Sequence, residues 1–179
     1  MSGLVLSLFP GIGLFDMAFE EEGFCIVRGP DLLWGGDIRR FNPPAGKFDG
    51  VIGGPPCQLY GGLANFSHRW TRQPEHLIPE FERCVDRARP EWFLMENVQN
   101  APLPDVRGYV VCNRLINNRH FGEVQSRVRR FSFGTLNGAA LHVETAAFEA
   151  VDFCQAVTSA NRSEERRVGK ECRSRWSPY

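Results

Sequence analysis

A cysteine stands behind two glycines and two prolines at Gly53-Gly54-Pro55-Pro56-Cys57-Gln58, directly after Phe48-Asp49-Gly50-Val51-Ile52. That preceding run, aromatic and β-branched, reads as a strand. The glycines allow tight backbone geometry with no Cβ penalty, and the prolines stiffen the turn. Cys57 is thereby presented at the carboxyl end of a strand, where open α/β sheets bind their ligands. A cysteine is the best protein nucleophile near neutral pH once something lowers its pKa. The competing reading of a lone cysteine is a buried structural thiol; here the turn and the motifs that follow it argue for chemistry. Trp92-Phe93-Leu94-Met95 is a second strand that ends in Glu96-Asn97-Val98, so a carboxylate and an amide stand at the same edge as the thiol. Gln125-Ser126-Arg127-Val128-Arg129 alternates polar and apolar residues, which puts Gln125, Arg127 and Arg129 on one face of an extended segment.

Positioning these groups requires a sheet. Leu4 to Phe9 reads as its first strand, followed by the turn Pro10-Gly11-Ile12-Gly13 and a helical run from Leu14 to Glu22. Strand, glycine turn and helix open a nucleotide-type binding fold. The dinucleotide fingerprint needs a third glycine where Asp16 stands, so a plain βα turn is the alternative. The coarse order is strands at 4–9, 24–28, 48–53, 92–97, 121–125 and 129–134, with helices at 13–22, 75–88 and 107–119.

In this order, Phe9-Pro10-Gly11-Ile12-Gly13, Gly54-Pro55-Pro56-Cys57-Gln58, Glu96-Asn97-Val98 and Gln125-Ser126-Arg127-Val128-Arg129 resemble the DNA cytosine-5 methyltransferase family. The resemblance spans roughly Gly3 to Gly134. It implies an α/β, doubly wound, Rossmann-like sheet that binds S-adenosylmethionine, with a target-recognition region inserted late in the chain. By this resemblance residues 1–136 form the catalytic domain and 137–161 begin a recognition region that is cut short.

The family's chemistry explains the residue types. Carbon 5 of cytosine is a poor nucleophile until the Cys57 thiolate adds to carbon 6 and turns the ring into an enamine. A donor at ring nitrogen 3 lowers that barrier, and Glu96 is the candidate, provided burial keeps it protonated. Arg129, or else Arg127, holds the 2-oxo group as an oxyanion stabiliser. In the closer reading Arg129 meets the base and Arg127 supports the cysteine and glutamate loops. Pro56, Gln58, Asn97, Val98 and Gln125 are implied around the substrate. The target base must leave the duplex stack.

For the methyl donor the resemblance implies Phe9, Gly11, Gly13 and Pro55 around the pocket, with Phe15 against the adenine. It implies Asp31 on the ribose hydroxyls, and Asp37 with Ile38 at the adenine amino group. Both aspartates are also placed as helix caps or turn residues would be. The chain departs from the family at Leu59-Tyr60-Gly61-Gly62, where a small residue, an aromatic and a serine are usual, and at Val124, where a proline is common.

From Arg162 to Tyr179 the composition changes abruptly; RSEERRVGKECRSRWSPY looks like one reading frame of a common sequencing-library adapter, with a genuine basic tail as the alternative. Residues 162–179 are therefore read as foreign and left out of the fold. Without them 15 Lys/Arg stand against 18 Asp/Glu. A net negative domain has no global attraction for nucleic acid, so contacts must come from local patches such as His68 to Arg72 and Arg127 to Arg130.

The six cysteines show no metal-ligand spacing, and no apolar run exceeds strand length. The expectation is a monomer in a reducing cytoplasm, bacterial or phage-encoded, with no metal and no membrane contact. Double-stranded DNA is its partner, in a restriction-modification system with a cognate restriction endonuclease as functional companion, or as an orphan or phage methylase. A transfer-RNA methyltransferase of the same family, and a non-catalytic remnant that binds cofactor or nucleic acid, are the alternatives.

Overall fold

The computed structural model describes residues 3–57, 60 and 75–143. The first compact unit comprises 1–116 and 128–143; the second comprises 117–127 and 144–179. In the first unit four parallel strands occur in the order β2 (Cys25–Arg28), β1 (Leu4–Leu8), β3 (Gly50–Gly53), β4 (Trp92–Asn97). They are followed by β6 (Val128–Thr135), antiparallel to β4, and then by β5 (Val110–Asn117). The register sets Leu8 beside Gly53 and Gly53 beside Met95. Residues that follow β1, β3 and β4 therefore emerge side by side at one edge.

Among the described residues two α-helices cover opposite faces, as alternation along β4 shows. Trp92 stacks on Phe19 of α1 (Leu14–Glu21), with ring centroids 5.9 Å apart. Its neighbour Phe93 points the other way and meets Phe81 of α2 (Ile78–Ala88) edge to face, also at 5.9 Å. The second contact belongs to the main core, where Leu6, Val51, Phe81, Cys84, Val85 and Met95 are buried. Glycines admit the aromatics. A Cβ on Gly50 would lie 2.2 Å from the Trp92 ring, and one on Gly134 would lie 2.1 Å from the Phe93 ring.

Two expectations fail. The helix anticipated at 107–119 is the strand β5, and the strand anticipated at 121–125 is a 3-10 turn, Asn118–Phe121, followed by a loop. Val110, Val111 and Ile116 favour an extended backbone. Pairing along β6 decides the matter, with Ser132 donating to Asn113 at 2.6 Å.

Within the second unit, the Asn117 side chain caps that turn by accepting from Arg119 N at 3.2 Å. It also accepts from Arg127 N at 3.2 Å. Gln125 and Arg127 belong to this unit, and both are exposed.

Candidate functional site

Cys57 is half-buried in the turn that leaves β3. Asn97, the last residue of β4, anchors that turn. It is 2 % exposed, donates to the Pro55 carbonyl at 3.1 Å and accepts from Val98 N at 2.8 Å. Pro55 is buried and Pro56 half-buried. Asn97 shares the α2 face of β4 with Phe93, so Glu96 points to the face of α1. There it pairs with Arg129, whose Nε lies 2.9 Å from the carboxylate. The register explains the meeting: Glu96 faces Phe131, and Arg129 is two residues along β6 on the same face. The Glu96 carboxylate also lies beside the turn, since a Cβ on Gly54 would sit 3.4 Å from its Oε2. The sequence reading required a buried carboxylic acid. The side chain is instead 30 % exposed and ion-paired.

Arg130, facing the other way, donates to the carbonyls of Gln99 and Ala101 and ties down the loop that follows Val98.

A cleft of about 380 Å³, open to solvent, lies between the loops that follow β1, β2 and β3. Phe9, Leu32, Ile38 and Pro56 supply apolar wall, and Asp31 and Asp37 supply carboxylates. Phe9 holds φ at 56°, a conformation bulky side chains seldom adopt, just before Gly11 at 54°. Asp31 Oδ2 accepts from Gly11 N at 3.0 Å, which joins the β1 and β2 loops. Its Oδ1 caps the 3-10 turn Leu32–Trp34 through Leu33 N at 2.8 Å. The Asp37 side chain caps Ile38–Arg40 through Arg39 N at 3.0 Å, and the Arg39 guanidinium grips the same carboxylate at 2.9 Å. Hydrogen bonding to that guanidinium holds the Asp37 pKa at about 2. Arg39 also reaches Glu75, at 3.1 Å.

The cleft thus gathers Phe9, Asp31, Asp37, Ile38 and Pro56 from the sequence-predicted set, with Gly11 one hydrogen bond away. Both aspartates are caps as well, so the two readings of them are compatible. Gly13, at φ 82°, is the N-cap of α1. Phe15 does not line the cleft; its ring lies 5.5 Å from Phe19 and 6.3 Å from Phe131. Gln58 and the basic run 68–72 fall outside the described residues.

Sequence reasoning missed Trp34, whose indole donates to Gly11 O at 3.2 Å. It also missed the use made of Asp16, which is fully buried, accepts from Ser7 and pairs with Arg28 at 2.8 Å. The departure from the three-glycine fingerprint was the available signal for that carboxylate.

Parallel strands ending at one edge, an antiparallel β6 and a cleft at the carboxyl ends of β1, β2 and β3 define an α/β methyltransferase fold. Solved structures with this fold include the Entamoeba histolytica methyltransferase EhMeth, at TM-score 0.53 and 12% identity over 84% of this chain and 58% of that one. The S. pombe Dnmt2 methyltransferase is similar at TM-score 0.51 and 16% identity, over 82% and 52% of the two chains.

The chain belongs to the C-5 cytosine-specific DNA methylase family, whose model matches residues 34–171. It is 31% identical to the type II methyltransferase M.FnuDI of Fusobacterium nucleatum, over 73% of this chain and 46% of that protein. It is 29% identical to M.NgoPII of Neisseria gonorrhoeae, over 73% and 47%. The chain thus spans about half the length of the curated relatives it matches. The family match runs past Asn161 into the segment read as foreign; both that segment and residues 144–161 lie outside the described residues.

Proposed function

We propose that this chain is the donor-binding and nucleophile-bearing part of a DNA methyltransferase that acts on carbon 5 of a flipped-out cytosine. The observation that carries the reading is the Glu96–Arg129 pair beside Gly54, at the foot of the turn that presents Cys57. A nucleophile, an acid and a fixed cation are the three groups that addition to a pyrimidine ring requires.

The Cys57 thiolate forms a bond to carbon 6, and the displaced electron pair spreads towards carbon 5, nitrogen 3 and the 2-oxo group. As the base enters, Arg129 exchanges Glu96 for the 2-oxo oxygen. Glu96, released from Arg129 and protonated from solvent as the base buries it, gives that proton to nitrogen 3 and takes it back when the thiolate leaves. After carbon 5 has gained its methyl group, a base, with water as the candidate, removes the proton there. The sulfur–carbon bond then breaks and the thiolate is restored. Asn97 and Pro55 keep the turn in place during this cycle. Pro56 and Val98, beside that turn, complete the surroundings of the base.

The cleft suits S-adenosylmethionine, which supplies an electrophilic methyl group when bound. Phe9, Leu32 and Ile38 offer apolar surface to an adenine, Asp37 an acceptor for its amino group, and Asp31 an acceptor for ribose hydroxyls. The type II designation of the relatives supports a restriction-modification setting, and with it we propose a partner endonuclease, double-stranded DNA as substrate and a bacterial cytoplasm. Among the described residues no helix is long and apolar enough to cross a membrane. The protein is proposed to act as a monomer.

Arg129→Ala in the full-length protein tests the reading. Turnover should fall by two orders of magnitude or so, the range for losing one oxyanion-type donor. The salt dependence of DNA binding should stay the same, because no phosphate contact is lost. Intact turnover with a flattened salt dependence would make Arg129 a phosphate contact instead. Methyl transfer to transfer RNA with none to DNA would move the substrate to the RNA branch.

A further inference from the structure

We infer that Arg83, which does not line the cleft, is a positioning residue for its adenine-side wall; this rests on reading the cleft as the donor site. Arg83 stands in the middle of α2 with its side chain 31 % exposed. Its guanidinium makes four bonds. Nε donates to Glu80 at 2.7 Å, and NH1 to the Asn42 side chain at 3.1 Å. NH2 donates to two backbone carbonyls, Ile38 at 2.8 Å and Phe41 at 2.9 Å. Those carbonyls belong to the 3-10 turn Ile38–Arg40, whose Ile38 carbonyl also accepts from Phe41 N, and to its C-cap Phe41.

The turn is thus held at both ends by side chains. Asp37 caps the front and Arg83 clasps the back. Its front faces the cleft with Asp37 and Ile38. The turn has only three residues and two backbone bonds of its own, Arg40 N to Asp37 O and Phe41 N to Ile38 O, each 3.1 Å. Charge-assisted bonds from a planar fork fix direction as well as distance. Arg83 therefore sets where the Asp37 acceptor stands relative to α2, and through it the preference for a 6-amino purine.

The test uses the 179-residue chain carrying Arg83→Met, which keeps the apolar stem, and Arg83→Lys. Amide exchange at Arg40 and Phe41 should quicken by about tenfold or more in Arg83→Met, the equivalent of about 1.4 kcal/mol. Exchange at Arg89, bonded to Val85 O at the end of α2, should stay unchanged. Arg83→Lys should recover part of the protection, since one ammonium reaches one carbonyl but not the whole set.

Binding of S-adenosylhomocysteine by the full-length protein is then compared with that of its inosine counterpart. Arg83→Met should lose most of the wild-type preference for adenine, and so should Asp37→Ala. Unchanged exchange at Arg40 and Phe41 overturns the inference. Faster exchange with the adenine preference intact also overturns it, because Arg83 is then a staple without influence on the site. If Asp37→Ala keeps the preference, or the full-length wild type binds neither ligand, the donor reading itself falls and this inference falls with it.

Discussion

Replacing Asn97 by alanine should cost far more than an amide at the end of a strand usually would. The side chain serves two partners at once, the Pro55 carbonyl at 3.1 Å and the Val98 amide at 2.8 Å, and it is 2 % exposed. Alanine removes both bonds and leaves one acceptor and one donor to find water. Each stranded group costs about 1–3 kcal/mol, and the partly exposed Val98 belongs at the low end, so the sum is about 2–4 kcal/mol. For a chain of this length that lowers the melting temperature by roughly 4–16 °C. Urea unfolding followed by tryptophan fluorescence measures the loss. Alkylation of Cys57 under native conditions measures whether the turn has come free, and its rate should rise. A loss below about 0.5 kcal/mol with unchanged alkylation would refute the anchoring role, because a buried amide carrying two bonds cannot be removed at that cost.

The Asp37 carboxyl should titrate at about 2 by carbon NMR, and Arg39→Ala should return it towards 3.8. Since the folded value lies below the unfolded one, the pair's contribution to stability is present above about pH 4. It disappears as the pH falls through 2, and Arg39→Ala should flatten that window. Burial pushes the Cys84 thiol up to about 11, so a disulfide reagent at pH 8 should label exposed Cys25 in the folded chain and leave Cys84 unmodified until denaturant is added.

The parallel strands were legible because their runs are short, apolar and bounded by glycine or proline: Val51-Ile52 before Gly53, and Trp92 to Met95 after Pro90. The meeting of Glu96 with Arg129 was only half legible. Each motif lies within its own strand, but their contact depends on the β4–β6 register, which no local pattern encodes. The segment 107–119 misled because Tyr109, Val110, Val111, Leu115 and Ile116 satisfy helical spacing almost as well as strand spacing. The partner strand β6, far along the chain, settles it. Arg83 was invisible for a similar reason. An arginine on an amphipathic helix looks solvated until the carbonyls it reaches, 42 and 45 residues away, are folded against it.

Whether Cys57 attacks the base is the most direct test. The full-length protein is incubated with S-adenosylmethionine and duplex DNA that carries 5-fluorocytosine, whose fluorine cannot leave as a proton does. A denaturation-resistant protein–DNA adduct is predicted, with its cross-linked peptide mapping to Cys57, and Cys57→Ser should abolish it. An adduct that persists in Cys57→Ser, or methylated product formed by that variant, would contradict the account.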